Sequence, residues 1–426
     1  MHPAALPTHY LVATVGTAGD MFPFISIACA LRGRGHRVTF LGPEPHRHYA
    51  ESAGLDYVTL GSREQYRAAL AHPDLWHPRK GIAVVMGAGK GSELALADFV
   101  AGLPDTSSCV MVAHQLLLPA AALARMPIVG VYLAPGGLRT VHRSMMLGPF
   151  KVPRWVPAGV RRWLWRRIDT ALIDPHVLPA LNTARRARGM APVRGFIEHM
   201  QSVSDLSVTL FPSWYAATEP DWPQPLYRGP FQLYDPDPGQ APSAELTAFL
   251  AAGAPPLVFT PGTGNQQAAR YFAQALYAVR RLGRRAIFLS GHRGHIPADL
   301  PDCVLWQAYL PLRCLLPRVA ALVHHGGIGT TAEALRAGVP QLVVALAFDQ
   351  FDNGARVGAL GVGRLLLAQR LRGPTLARAL GALLASEAVR QRCRQVAAHF
   401  AQGAQVQAET DALCHAIETV APAAGT

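Results

Sequence analysis

The sequence predicts an α/β protein of two Rossmann-like, doubly wound domains facing each other across a cleft. Three observations carry that prediction. At 426 residues the chain is too long for one ordinary core. Short apolar runs alternate with helix-period segments through both halves, as in parallel sheets wrapped by helices. Between the halves lies "EPDWPQPLYRGPFQLYDPDPGQAPS", rich in proline and poor in periodicity, which reads as a linker. The expected boundaries are an N-terminal domain over 1–220, the linker over 221–255, and a C-terminal domain over 256–426 ending in a helical tail from Leu376 to about Thr419.

The elements follow in order. Tyr10 to Val15 is a continuous apolar run, as in a strand buried on both faces. A glycine turn follows, then Phe24, Ile27, Ala28 and Leu31 recur at helical spacing, and Gly33–Gly35 ends the helix before the next strand. "CVMVAHQ", "LLLPAAALARM" and "PIVGVYL" read as strand, helix and strand. From Pro135 to Met200 the pattern loosens into Pro-, Trp- and Arg-rich segments expected to be inserted helices, and "SVTLFPSW" closes this half as a strand. The second series runs "PLVFTPGTGN", "QQAARYFAQALYAVRRLG", "RRAIFLSG", "VLWQAYL", "AALVHHGG", "IGTTAEALRAG" and "PQLVVAL", again strands and helices in alternation.

Half of the residues are hydrophobic and 16% are charged, which fits filled cores rather than disorder. The formal charge of +13 favours an acidic partner, either an anionic membrane surface or acidic small molecules. The basic residues are scattered, without an aromatic-interleaved track, so nucleic acid is not expected. Six well-separated cysteines with no C-x-x-C pair suit a reducing cytosol. The N-terminal residues lack the charged and apolar regions of a signal peptide. Val110 to Ala124 is short and broken by His114, Gln115 and Pro119, so any membrane contact is expected to be peripheral, at the inner face.

One stretch concentrates the chemistry: "VHHGGIGTTAEALRAGVPQLVVALAFDQFDN". A strand ends at His324-His325 and glycines lead straight into a helix. Unpaired N–H groups at a helix start carry partial positive charge and form an anion site. Gly326, Gly327 and Gly329 let backbone approach a phosphate, Thr330 offers a hydroxyl and His325 an imidazole N–H. That suits a diphosphate held without a metal. The alternative is an ordinary strand-to-helix turn. About twenty residues on, Asp349 and Gln350 offer hydrogen bonds to vicinal hydroxyls, as a sugar demands.

These residues resemble the nucleotide-sugar signature of family 1 glycosyltransferases of the GT-B fold: His325, Glu333, Gly338-Val339-Pro340 and Asp349-Gln350 stand at the family's spacings. The resemblance implies an inverting glycosyltransferase with a nucleotide-sugar co-substrate and no other cofactor. It places Tyr309 where an aromatic stacks on the base, with Leu312 replacing the usual Gln, and Thr263 where a hydroxyl touches the phosphates or the sugar. "GTAGDMFPF" resembles the family's Gly-His-x-x-Pro turn with Asp20 in place of His, which implies Asp20 as general base in an acceptor-binding N-terminal domain. Apolar neighbours Met21, Phe22 and Phe24 would raise its pKa, and Phe22 and Phe24 are expected on the acceptor side. The other reading of Asp20 is an N-cap on a helix beginning near Met21. His114 ends a strand near where the family often places a base-orienting Asp, or is only a polar strand end.

Across the sequence, "GTAGDMFPF", "HPDLWHP", "LLPRVAALVHHGGIG", "LFPSW…DWPQPL" and "FDQFDN" resemble the bacterial rhamnosyltransferases of rhamnolipid synthesis. That implies dTDP-L-rhamnose as donor, a hydroxyalkanoyloxy-alkanoate lipid as acceptor, and an acceptor-synthesising enzyme as a partner. Rivals are a UDP- or dTDP-sugar transferase acting on a polyketide or sterol, and an inactive binding subunit. A dinucleotide oxidoreductase is disfavoured because the G-x-G-x-x-G spacing is missing from "VGTAGD". Asp235-x-Asp237 mimics the metal motif of other glycosyltransferases but reads as turn formers, so no metal site is expected. His292 and His295 read as loop residues. In "PAGVRRWLWRRIDTALI", Val160, Trp163, Leu164, Ile168, Ala171 and Leu172 share one helical face and Arg162 and Arg166 lie opposite. That helix either meets an anionic surface or packs on its own domain.

Overall fold

The computed structural model describes residues 8–77, 79–236, 239 and 242–421. The N-terminal residues 1–7, Pro78 of the "HPDLWHP" motif and Asp237 of the Asp-x-Asp pair lie outside them. The chain divides into one unit of Met1–Tyr234 with Gln402–Thr426 and a second of Asp235–Ala401.

The first unit is built on β1 (His9–Ala13), β2 (Arg37–Gly42), β3 (Asp56–Thr59), β4 (Cys109–His114) and β5 (Ile128–Tyr132). β6 (Met145–Leu147) and β7 (Phe150–Val152) form a separate antiparallel hairpin, and β8 (Leu206–Thr209) and β9 (Leu226–Arg228) complete the main sheet. Its order is β3-β2-β1-β4-β5-β8-β9 and every pairing is parallel. The apolar runs are strands covered on both faces: Tyr10, Leu11, Val12 and Val110 to Ala113 are wholly buried. In register, Tyr10 lies between Val38 and Val110. The turn after β1 therefore emerges beside the end of β4, and the helix it leads into, Ala18–Gly33, carries Asp20 in its first turn.

The second unit holds β10 (Leu257–Thr260), β11 (Ala286–Leu289), β12 (Val304–Gln307), β13 (Ala321–His324), β14 (Gln341–Ala345) and β15 (Gly363–Leu367). Its order is β12-β11-β10-β13-β14-β15, again all parallel. Central β10 and β13 neighbour each other, so the turns that follow them are adjacent. Helix Ala269–Leu282 buries Phe272, Ala275 and Val279 in the core formed with Phe259 and Phe288.

Two expectations about domain limits need correction. The described part of the stretch read as a linker supplies a strand to the first unit and a helix to the second. β9 within it is the last strand of the first sheet, with prolines only outside the paired residues, where a lost N–H is harmless. Trp222 just ahead of it is buried against Phe211. Helix Ala244–Ala251 then opens the second unit, with Ser243 Oγ accepting a hydrogen bond from Leu246 N at 3.1 Å and Leu246 and Leu250 in the core. The tail also splits. Helices Gly373–Ala385 and Glu387–Ala397 stay with the second unit, but helix Ala404–Glu418 returns to the first and packs on helix Ala18–Gly33. Glu418 receives Arg34 Nε at 2.5 Å and Nη2 at 2.7 Å, and His36 Nε2 lies 3.0 Å away.

Candidate active site

Of the residues expected on the donor side, Thr263, His325, Gly327, Gly329 and Thr330 lie where β10 and β13 end in the second unit. Gly262, in the turn after β10, has φ +90, and a Cβ there would meet the His325 ring at 2.6–2.9 Å. A Cβ on Gly327 would stand 2.5 Å from His325 Nε2. The imidazole thus lies against two backbone turns that admit it only because both are glycine. Burial pushes its pKa down to about 4, so at pH 7 the ring is neutral with a single N–H. Its Nδ1 is buried without a hydrogen-bond partner, which a ligand oxygen or water would complete.

The other histidine of the pair has a structural task. His324 is fully buried, its Nε2 lies 3.0 Å from Gln341 Oε1, and its Nδ1 accepts a hydrogen bond from Gly326 N at 3.2 Å. Burial holds its pKa near 3. At Gly326 φ is +97 and a Cβ would press on Val343 Cγ1 and the Gln350 carbonyl. From Gly327 the chain enters helix Ile328–Arg336, and no side chain caps its start. Thr331 turns its hydroxyl back to the Gly327 carbonyl at 2.9 Å, while Thr330 stands in the first turn, half-buried. Gly329 faces open space, with no protein atom within 4 Å of an added Cβ.

Asp349 and Gln350 follow β14 and begin helix Gln350–Ala359. Phe348, immediately before them, is held at φ 57, a left-handed conformation that costs a non-glycine residue energy. The two signature residues differ in their engagement. Gln350 is buried and its Oε1 accepts hydrogen bonds from Leu346 N (2.8 Å) and Ala347 N (3.1 Å), so its oxygen holds the loop closed. Asp349 is half-buried, and its Oδ2 accepts a hydrogen bond from Asn353 Nδ2 at 2.8 Å. That same Nδ2 donates to the Gly326 carbonyl at 2.9 Å. Asn353, fully buried, thus fastens the glycine turn to the Asp349 loop. It lay in the quoted stretch without being singled out, although its place four residues after Asp349 puts both on one helix face.

Tyr309 presents an exposed ring on the segment after β12, and Thr263 is exposed in the turn after β10. Leu312 packs instead against the apolar cluster under helix Ala244–Ala251, which is why an apolar side chain serves there. His295 lies 2.9 Å from the Gln266 carbonyl and steadies the neighbouring loop, with His292 beside it. Among the described residues no group of three or more His, Cys, Asp or Glu is arranged to hold a metal ion.

In the first unit, helix Ala18–Gly33 begins with Thr17 as N-cap, three residues ahead of Asp20. The cap is therefore Thr17 rather than Asp20, whose side chain reaches back from the third helical position. Asp20 Oδ2 accepts hydrogen bonds from Thr17 N (2.7 Å) and Thr17 Oγ1 (3.1 Å), and neither reaches Oδ1. Burial raises the pKa, and the two Thr17 bonds pull partly the other way. Phe22 is half-buried and meets Tyr49 at 5.0 Å and Tyr234 at 5.9 Å. Phe24 is fully buried and packs 6.0 Å from the His114 ring, so it is a core residue and offers no acceptor surface. His114 is also buried. Its Nδ1 accepts a hydrogen bond from Leu116 N at 3.3 Å, and burial holds its pKa near 4.

Two further residues stand near Asp20 that sequence reading missed. His46 Nε2 and Tyr66 Oη are 2.9 Å apart, His46 is held near pKa 4 by burial, and Tyr66 is raised by burial and by the Asp20 charge. They come from the segments after β2 and β3, and only the fold brings them together.

Two units of parallel strands in this order, with glycine turns at the strand ends, have the architecture of doubly wound nucleotide-binding folds, and sequence relatives narrow it to one family. Residues 10–124 match the glycosyltransferase family 28 N-terminal domain. Residues 285–410 match the C-terminal domain of the erythromycin biosynthesis protein CIII-like family. The chain is 31% identical over 366 residues to a dTDP-epi-vancosaminyltransferase of Amycolatopsis orientalis, covering 83% of this chain and 84% of that protein. It is 29% identical over 383 residues to the O-mycaminosyltylonolide 6-deoxyallosyltransferase of Streptomyces fradiae, covering 82% and 83%. Among solved structures, the glycotransferase of kitacinnamycin superposes with a TM-score of 0.71 at 19% identity, covering 98% of this chain and 100% of that one. The spinosyn rhamnosyltransferase SpnG complexed with thymidine diphosphate gives 0.65 at 18% identity, covering 96% and 100%. The chain belongs to the family 1 glycosyltransferases of the GT-B fold, with a family 28-type N-terminal and an EryCIII-like C-terminal domain, and is a nucleotide-sugar glycosyltransferase.

Proposed function

We propose that this glycosyltransferase moves L-rhamnose from dTDP-L-rhamnose, with inversion, onto the hydroxyl of a hydroxyalkanoyloxy-alkanoate lipid. The observation that carries the donor half is the glycine-lined His325 ring beside an uncapped helix start. The neutral imidazole N–H, the Thr330 hydroxyl and the amides of Gly327, Ile328 and Gly329 meet the diphosphate, whose charge grows as the sugar leaves. Tyr309 stacks on the thymine and Thr263 reaches the phosphates. Asp349 accepts hydrogen bonds from sugar hydroxyls, while the Gln350 amide is left to donate. Asp20 takes the acceptor proton as the hydroxyl oxygen attacks the anomeric carbon, and its burial raises its basicity for that task. The reaction needs no cofactor beyond the nucleotide sugar in this reading.

Support for the lipid acceptor comes from the sequences "GTAGDMFPF" and "LFPSW…DWPQPL" and from the aromatic surface of Phe22, Tyr49 and Tyr234 near the start of Asp20's helix. The names of the relatives favour a second reading, transfer of a deoxysugar to a polyketide-type natural product. One assay separates them: purified protein with a panel of UDP- and dTDP-sugars, each offered a hydroxyacyl lipid or a macrolide aglycone, with products read by mass spectrometry. A rhamnosyl lipid from dTDP-L-rhamnose supports the first reading. Product only on the macrolide replaces it with the second.

A further inference from the structure

The helix Ala158–Ile168 leaves large apolar side chains to solvent while burying an arginine. Its inward side is Arg161, Leu164, Trp165 and Ile168. Arg161 is buried and donates from Nη1 to the Arg143 carbonyl at 3.0 Å. Trp165 donates from Nε1 to the Thr140 carbonyl at 3.2 Å, and the Arg139 guanidinium lies 3.7 Å from its ring centroid. Arg139 is itself paired with Asp169 at 2.6 Å, which draws the nearest carboxylate inward. The opposite side carries Val160, Trp163 and Arg167 at spacings of three and four, and all are exposed. Trp163 is 57% exposed with Arg167 beside its ring. Just ahead of the helix, Trp155 is 82% and Phe150, at the tip of the β6–β7 hairpin, 64% exposed. Of the six residues expected on its apolar face, Leu164 and Ile168 are half-buried while Val160, Trp163, Ala171 and Leu172 are exposed, so that face is covered only in part.

From Phe150 to Ile168 the chain contains Lys151, Arg154, Arg161, Arg162, Arg166 and Arg167 and no carboxylate. All of these but Arg161 are exposed. We propose that this surface docks on an anionic lipid bilayer. Tryptophan and phenylalanine settle at the boundary between headgroups and acyl chains, and arginines around them reach phosphates while their stems cover apolar surface. The run of cations without a carboxylate gives this surface one sign of charge, which complements the uniform negative charge of an anionic leaflet. Among the described residues no helix is long and apolar enough to cross a membrane, so the contact is superficial. Attraction between basic residues and an anionic leaflet makes the binding salt-dependent. This inference does not rest on the identity of the acceptor.

The test is co-sedimentation of the full chain with phosphatidylglycerol/phosphatidylcholine vesicles and with phosphatidylcholine alone, at low and high salt. The expected result is a partition coefficient at least about tenfold higher on anionic vesicles, falling with salt. A W155S/W163S double variant and an R162E/R166E double variant should each lose about tenfold. Nucleoside-diphosphate binding by each variant serves as the control for folding. Equal partition on neutral vesicles, or no loss in either folded variant, overturns the proposal. So does concentration-dependent self-association that the tryptophan variant abolishes without any vesicle binding, which would make the surface a contact between two copies.

Discussion

At the scale of single residues, environment turns ordinary side chains into specialised ones. Asp20 is a carboxylate raised by burial yet anchored by Thr17 through one oxygen, which keeps its direction fixed while Oδ1 carries no bond from Thr17. Asp20→Asn preserves an acceptor for both Thr17 bonds and removes only the carboxylate proposed as the base. Steady-state assays should show turnover lower by about 10²–10⁴-fold, with nucleoside-diphosphate affinity by calorimetry unchanged; retained turnover would remove Asp20 from the mechanism. His325 yields a pH prediction. Its pKa in the folded chain is about 4, below the ordinary 6.5, so between those values the unfolded chain binds a proton that the folded chain does not. Its contribution to stability is complete above pH 6.5 and is lost as pH falls through about 4. His324, near 3, extends the loss lower. Urea midpoints should fall from pH 7 to pH 4, and His325→Gln should flatten the slope. An identical slope in that variant would refute the assignment.

At the scale of elements, the glycine turn and the loop after β14 behave as one device because Asn353 bonds to both. Asn353→Leu strands the Gly326 carbonyl in the interior and removes the Asn353 bond to Asp349. The expected cost is about 1–3 kcal/mol, measured by denaturant unfolding, with weaker nucleotide-sugar binding alongside. The glycines divide by the same logic. Gly326→Ala meets a left-handed φ and a crowded space, so it should lower stability. Gly329→Ala enters open space, so melting should hold while nucleoside-diphosphate affinity falls; unchanged affinity would mean that the phosphates lie elsewhere. The turn itself was legible in the sequence because its causes are local: an apolar strand, a histidine pair, glycines and a helix period. His46 and Tyr66 were not, nor was the bond from Asn353 to Gly326, because these partners are brought near only by the fold. Phe24 shows the reverse error. Nearness in sequence to Asp20 suggested the acceptor side, but helical spacing turns its ring into the core.

At the scale of the whole molecule, the two parallel sheets were legible while the chain's return path was not. An amphipathic terminal helix advertises an apolar face without naming the surface that will cover it, so continuity assigned it to the second half. The helix buries Leu413, Cys414 and Ile417 in the first unit, and a cluster of charge pins it there: Arg34, from the end of helix Ala18–Gly33, meets Glu418 at 2.5 Å and Asp411 at 3.7 Å, and His36 joins Glu418 at 3.0 Å. The Arg34 guanidinium holds the Glu418 carboxyl below its usual range, so the pair persists at neutral pH. Glu418→Ala removes the shared partner of Arg34 and His36. A partly exposed network of this kind contributes about 1 kcal/mol, or about 2–4 °C in melting temperature for a unit of this size. Hydrogen exchange locates the effect. Protection should fall in helices Ala18–Gly33 and Ala404–Glu418 and hold in β10 to β15, because the helix serves the first unit. Loss of protection in the second sheet instead would return the tail to the C-terminal domain.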